Sequence, residues 1–196
     1  NDATFSGALD VTGIVTAANI SATGAISDDA GNVAAFRHEA DSYTKLLIHS
    51  DNPDGSTEFI DSSPHGGSAH PAHTITKLGS PVHEDAAEHP GFGASHMSFV
   101  SNDALLLPAS SDWDCGTGDF TLDYWIMYKS YGNYQTIWDY GYVNGLLLQT
   151  STASVGTLRV FVGSGSTYVT DSTTPALDVW YHYAVVRSSG VVTIYR

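Results

Sequence analysis

The stretch "ASSDWDCGTGDFTLDYWIM", Ala109 to Met127, decides the fold class. It gathers Asp112, Asp114, Asp119 and Asp123, the chain's only cysteine, Cys115, and the rings of Trp113, Phe120, Tyr124 and Trp125. From Phe120 onward the side chains alternate. Phe120, Leu122, Tyr124 and Ile126 fall on one face of an extended strand, and Trp125 and Met127 on the other. A strand apolar on both faces is expected at the centre of a sheet covered on both sides. Just before it, Asp112 and Asp114 flank Trp113 in a turn, where aspartates accept backbone N–H bonds. Cys115 is expected there as a small apolar filler.

Outward from this strand the same punctuation recurs. β-prone runs lie at 56–62, 73–79, 95–100, 104–109, 120–129, 134–141, 145–152, 157–163, 166–172, 180–188 and 191–196, with Gly, Asn, Asp, Ser or Pro in nearly every gap. No window of helical length carries an i, i+3, i+4, i+7 stripe, so the fold class is all-β, an antiparallel β-sandwich of jelly-roll type. A length of 196 residues allows one main core and an appendage. The boundaries are read as an assembly segment at 1–36, a linker at 37–56 and the sandwich at 57–196. The last run, "SGVVTIYR", stops inside a strand, and a longer chain is expected.

The assembly segment, "NDATFSGALDVTGIVTAANISATGAIS", sets short apolar pairs such as Ala8-Leu9 and Ile14-Val15 among small residues. No single copy buries much surface. It is either a flexible linker or an extended β stalk ordered by stacking with copies from other chains, and its β-branched content favours the stalk.

Seven basic against twenty-one acidic residues give a formal net charge of −14. That field repels phosphate backbones and anionic lipid, so no nucleic-acid partner and no membrane insertion are expected. A single cysteine excludes a disulfide framework. Eight of the nine histidines lie between His38 and His96. In "HGGSAHPAH" they follow no familiar ligand spacing, and a surface loop whose histidines titrate individually is expected, with histidines gathered by three-fold symmetry as the alternative.

Several phrases, in order over roughly 140 residues, resemble a laminin-G-like, concanavalin-A-type jelly roll. They are "FGASHMSFVSNDALLLPASSDW", "GTGDFTLDYWI", "WYHYAVVR" and the following "GVVTIY". The version most similar is that of bacteriophage and environmental virion proteins. The assembly segment in turn resembles the repeats of trimeric phage fibre shafts, and "AISDDAGNVAAFR" the phrase that links such shafts to a binding domain. Two departures stand out. The hairpin and strands that the family has after "VTIY" are missing from the given sequence, and the His/Pro-enriched loop at 64–73 is longer than the family's first strand implies.

Some relatives on this fold are glucanases, whose catalytic strand carries an E-x-D-x-x-E or E-x-D-x-E phrase. This chain has none. Asp119 and Asp123 share a strand face but stand roughly 13 Å apart, beyond the ~5–5.5 Å of a retaining pair and the ~6.5–9.5 Å of an inverting one. No G-x-S-x-G phrase exists, and His182 reads as a packed or hydrogen-bonded strand residue. No catalytic residue is assigned, and the chain is read as not an enzyme. Calcium is a further inheritance of lectin-like jelly rolls, but no ligand spacing is recognisable. Asp139 and Asp171 are the nearest candidates, no metal residue is assigned and no cofactor is expected.

Carbohydrate binding fits the text better. Sugar rings pack their C–H faces on aromatic rings while nearby amides and carboxylates meet the hydroxyls. "YKSYGNYQTIWDYGYVNG", Tyr128 to Gly145, supplies Tyr131, Asn133, Tyr134, Asp139, Tyr140, Tyr142 and Asn144 as the candidate site. Tyr131 and Tyr142 in the loops rank ahead of Trp138 in the strand. The resemblance then implies a virion structural protein, a tail-fibre or head-fibre component on the particle surface. It would be a homotrimer that meets other virion proteins through its N-terminal segment and cell-surface polysaccharide through its jelly roll. A purely structural decoration or cement protein is the first alternative, and a secreted bacterial adhesin the second.

Overall fold

A computed structural model describes residues 43–63, 72–84, 95–100, 102–132, 134–141, 145–151, 156–163 and 168–196. The expectations for the assembly segment, for "AISDDAGNVAAFR" and for most of the His/Pro loop lie outside the described residues.

Among the described residues the strands are β1 (Thr76–Leu78), β2 (Val82–Glu84), β3 (His96–Ser98), β4 (Ala104–Leu106), β5 (Phe120–Met127), β6 (Thr136–Asp139), β7 (Gly145–Thr150), β8 (Leu158–Gly163), β9 (Tyr168–Thr170), β10 (Trp180–Ser188) and β11 (Val191–Tyr195). A single 3-10 turn, Ser111–Trp113, is the helical element among them. Every pairing is antiparallel. Two sheets make the body, one ordered β11-β10-β5 and the other β6-β7-β8-β9, and β1-β4 and β2-β3 form two further two-stranded pairs.

The alternation read in β5 sets the core. In register from Trp180↔Met127 to Arg187↔Phe120, β5 and β10 turn Phe120, Leu122, Tyr124, Ile126, Tyr181, Tyr183 and Val185 inward. There they meet Leu146, Leu148, Leu158 and Val160 of the second sheet. Leu148 and Val185 are wholly buried. The β10–β11 hairpin closes through Ser189 and Gly190, both at positive φ (50° and 81°), the two-residue turn whose twist matches the flanking strands. Asp119 fixes this hairpin to the start of β5, since its Oδ1 accepts the Ser189 N–H at 2.9 Å.

The described structure corrects three expectations. β5 is not covered on both faces: Thr121, Asp123 and Trp125 point outward and are exposed, because only the inward face meets the second sheet. The run at 56–62 makes a single bridge, Ile48↔Asp61. Asp61 there turns its carboxylate onto the Leu47, Ser63 and His73 amides instead of extending a ladder. His73, expected on a surface loop, packs its ring 4.3 Å from that of Trp113.

His83 on β2 is buried and stacks on Phe59 with ring centroids 4.8 Å apart. Its Nε2 donates to the Glu58 carbonyl at 2.9 Å, so Nδ1 accepts the Ser50 hydroxyl at 2.8 Å. With Gly55 N–H on the His83 carbonyl and His83 N–H on that of Ser56, it fastens residues 50–59 to β2.

Candidate functional site

The strand β6 decides which of the sequence candidates meet. Tyr134 precedes it and Tyr140 follows it, so the two lie about 20 Å apart along the strand direction, at opposite ends. They cannot share one sugar ring. Asn133, Tyr142 and Asn144 lie outside the described residues.

At the first end Tyr131 is committed to packing. Its hydroxyl donates to the Pro175 carbonyl, and its ring lies so close to Gly156 that a Cβ there would approach it to 2.7 Å. Tyr134 is 55 % exposed and adopts φ 56°, a left-handed turn that turns the chain into β6. Gln135 seals the turn. Its N–H donates to the Thr150 hydroxyl and its side-chain amide to the Ser130 carbonyl.

At the other end Asp139 and Tyr140 leave β6. Asp139 Oδ1 accepts the Gly141 N–H at 2.9 Å, an Asx turn that places the chain for its return into β7. The return is tight, for a Cβ on Gly145 would stand 1.7 Å from the Tyr140 carbonyl oxygen. The Tyr140 hydroxyl donates to the Ser110 carbonyl at 3.4 Å, so the residue, 37 % exposed, is held by its side-chain tip as well as by its backbone.

That contact brings the opening stretch into the site. Ser110 caps the 3-10 turn, its hydroxyl oxygen accepting the Asp112 N–H. Asp112 then pairs with Lys45 Nζ at 3.2 Å and lies 3.2 Å from His73 Nε2. Burial alone would push the Asp112 carboxyl up, but the Lys45 ammonium, the Ser110 hydroxyl and His73 outweigh it and hold the carboxyl below the usual range. Trp113 donates Nε1–H to the Pro108 carbonyl and meets Trp138 edge-on at 5.5 Å, which seats the turn on the sandwich end. Asp114 closes it by accepting the Gly116 N–H.

The resulting rim carries a fixed phenol ring, the Asp139 and Asp112 carboxylates and the Lys45 ammonium. Sequence reasoning missed Lys45, Asp112 and His73 because they come from three segments that only the fold joins. Trp113 was the available signal, since a tryptophan in an Asp-rich turn needs a platform beneath it. The second calcium candidate, Asp171, is occupied elsewhere. Asp171 accepts the Thr173 N–H and the Tyr183 hydroxyl and pairs with Arg196 at 3.1 Å. Among the described residues no three His, Cys, Asp or Glu side chains are grouped to hold a metal ion.

Residues 99–196, 98 of the 196, match the laminin-G family model described as the concanavalin A-like lectin/glucanases superfamily. No curated protein and no solved structure matches the chain.

Proposed function

The chain belongs to the concanavalin A-like lectin/glucanases superfamily, and from that premise we propose that it is a glycan-binding virion appendage protein whose jelly roll contacts host-surface polysaccharide. The observation that carries the binding role is the Tyr140 ring. Its hydroxyl donates to the Ser110 carbonyl while the residue stays 37 % exposed, so less side-chain freedom is lost when a sugar stacks on it. Lys45 and the Asp112 carboxylate set a donor and an acceptor on the same rim.

The mechanism is adhesion by many weak contacts. In a homotrimer held by the N-terminal segment, three such rims act together, and linked sites raise avidity without new contacts at any one of them. Support for the virion setting comes from the resemblance of residues 1–36 to fibre-shaft repeats.

Printed glycans at high density, probed with the assembled full chain, test the binding role. Retention of at least one glycan class, lost in Tyr140→Ala, is the expected result. No retention at any density favours the structural decoration role. One observation leans that way: Tyr131 spends its hydroxyl and ring on internal packing. Light scattering of the full chain tests the assembly, with three protein masses expected.

A further inference from the structure

The outward face of the β6-β7-β8-β9 sheet holds an arginine whose guanidinium has no acceptor among the described residues. Alternation along β8 sends Leu158 and Val160 into the core and Arg159 and Phe161 to the other face. There the Arg159 guanidinium lies over two rings, with Cζ 5.4 Å from the centre of Phe161 and 5.3 Å from that of Tyr168 on β9. Phe161 is buried, Tyr168 is 49 % exposed, and their centroids stand 5.1 Å apart. Nε of Arg159 is buried without a hydrogen-bond partner. Its terminal nitrogens are not buried, and they too meet no acceptor and no carboxylate among the described residues. By contrast Lys45 pairs with Asp112, Lys129 with Asp178 and Arg196 with Asp171, and Arg187 donates to two carbonyls.

We infer that Arg159 is a carboxylate-binding site whose occupant is an Asp or Glu side chain of a partner protein. A buried N–H of a charged group left without an acceptor opposes folding, so packing alone gives no reason for an arginine where methionine would cover the same rings. The rings hold the flat guanidinium in place and leave the edge between its terminal nitrogens to an in-plane acceptor, the geometry that takes both oxygens of a carboxylate. In register beside Arg159 stand Gln149 on β7 and Thr170 on β9. Thr170 spends its hydroxyl on the Leu158 carbonyl, and Gln149 adds a neutral amide donor next to the guanidinium. Arginine and tyrosine around a buried aromatic ring are the composition of a protein-interface hot spot. Charge narrows the partner. The net charge of −14 repels polyanions, whereas a single carboxylate set among uncharged or basic residues is drawn to an unneutralised guanidinium. The site is independent of the rim and of sugar binding.

The test follows the arginine Nε–Hε signals of the isotope-labelled full chain, with that of Arg159 identified by Arg159→Met. The capped peptide acetyl-Leu-Glu-Leu-amide is expected to shift the Arg159 signal saturably, and its glutamine counterpart to leave it in place. Arg159→Lys keeps the charge and loses the fork, and should weaken the peptide about ten-fold, read from the broadening of the peptide's own signals. Arg159→Met should abolish that broadening while holding or raising the urea midpoint of the parent. A lowered midpoint makes the arginine a structural residue and overturns the site. A signal fixed up to the solubility limit of the peptide, or an equal shift with the glutamine peptide, overturns the carboxylate. Sodium acetate or inorganic sulfate binding as tightly as the peptide overturns the protein source. Light scattering in which Arg159→Met lowers the assembled mass assigns the carboxylate to a second copy of the chain and overturns the separate partner.

Discussion

Arg187→Met removes the guanidinium that joins β10 to the turn ahead of β5. Arg187 is buried, with Nε donating to the Gly118 carbonyl, Nη2 to that of Cys115, and Cζ 4.9 Å from the centre of the Phe120 ring. Hydrogen bonds from a charged donor contribute about 1.5–3 kcal/mol each, and the ring contact about 1 kcal/mol. Gly118 is exposed, so water replaces the arginine at its carbonyl. The Cys115 carbonyl, half-buried in the turn, has less access to water. Methionine keeps most of the packing volume and ends the desolvation of a cation. The net loss is about 3 kcal/mol. Urea unfolding followed by tryptophan emission should show the midpoint falling by about 1.5 M at an m-value near 2 kcal/mol/M. Arg187→Lys should be damaged nearly as much, since an ammonium cannot span both carbonyls. A methionine variant within about 0.3 M of the parent midpoint refutes the claim that this one side chain holds the turn.

Three further outcomes are expected. Gly145→Ala drives a Cβ against the Tyr140 carbonyl and should cost about 3 kcal/mol or more, read as a lowered thermal midpoint together with loss of glycan retention. Tyr124→Phe removes a buried hydroxyl that has no partner among the described residues, and should be neutral or stabilise by about 0.5–1 kcal/mol. Burial raises that hydroxyl's pKa, so its ionisation opposes folding above the ordinary value of 10.0; in alkali the phenylalanine variant should keep its midpoint further up the pH scale. Asp112 has a folded pKa below its ordinary 3.8, so its contribution is present above that value and is lost as pH falls through the lower, folded one. Asp112→Asn should flatten the acid limb of a stability-against-pH curve, and an unchanged limb would count against the Lys45 and His73 contacts.

Strands were legible where alternation and turn residues agreed. The runs at 145–152 and 180–188 became β7 and β10 with ends shifted by two residues or fewer. β2 was not, because Val82–Glu84 is three residues long, follows a proline and has a buried histidine at its centre. Alternation placed the two faces of β5 correctly but could not tell which would meet another layer, since Trp125 and Met127 read as apolar as the core residues. The rim was half legible: Tyr140 and Asp139 stand in one run of sequence, whereas Lys45, His73 and Asp112 meet through tertiary contacts that no local spacing records. Trp125 and His182 lie far apart in the chain and become neighbours only once the β5–β10 register is known.

Asp61 holds three amides from separate places, Leu47, Ser63 and His73, on the two oxygens of one carboxylate. A strand ladder can fray from its end one bond at a time, but these three share a single anchor. Their deuterium exchange should therefore be governed by one opening event, with similar protection for all three although the outermost stand 26 positions apart. The Leu47, Ser63 and His73 amides would then loosen as a unit, and His73 would withdraw from Asp112 in the same step, linking the integrity of the rim to a carboxylate that is not part of it.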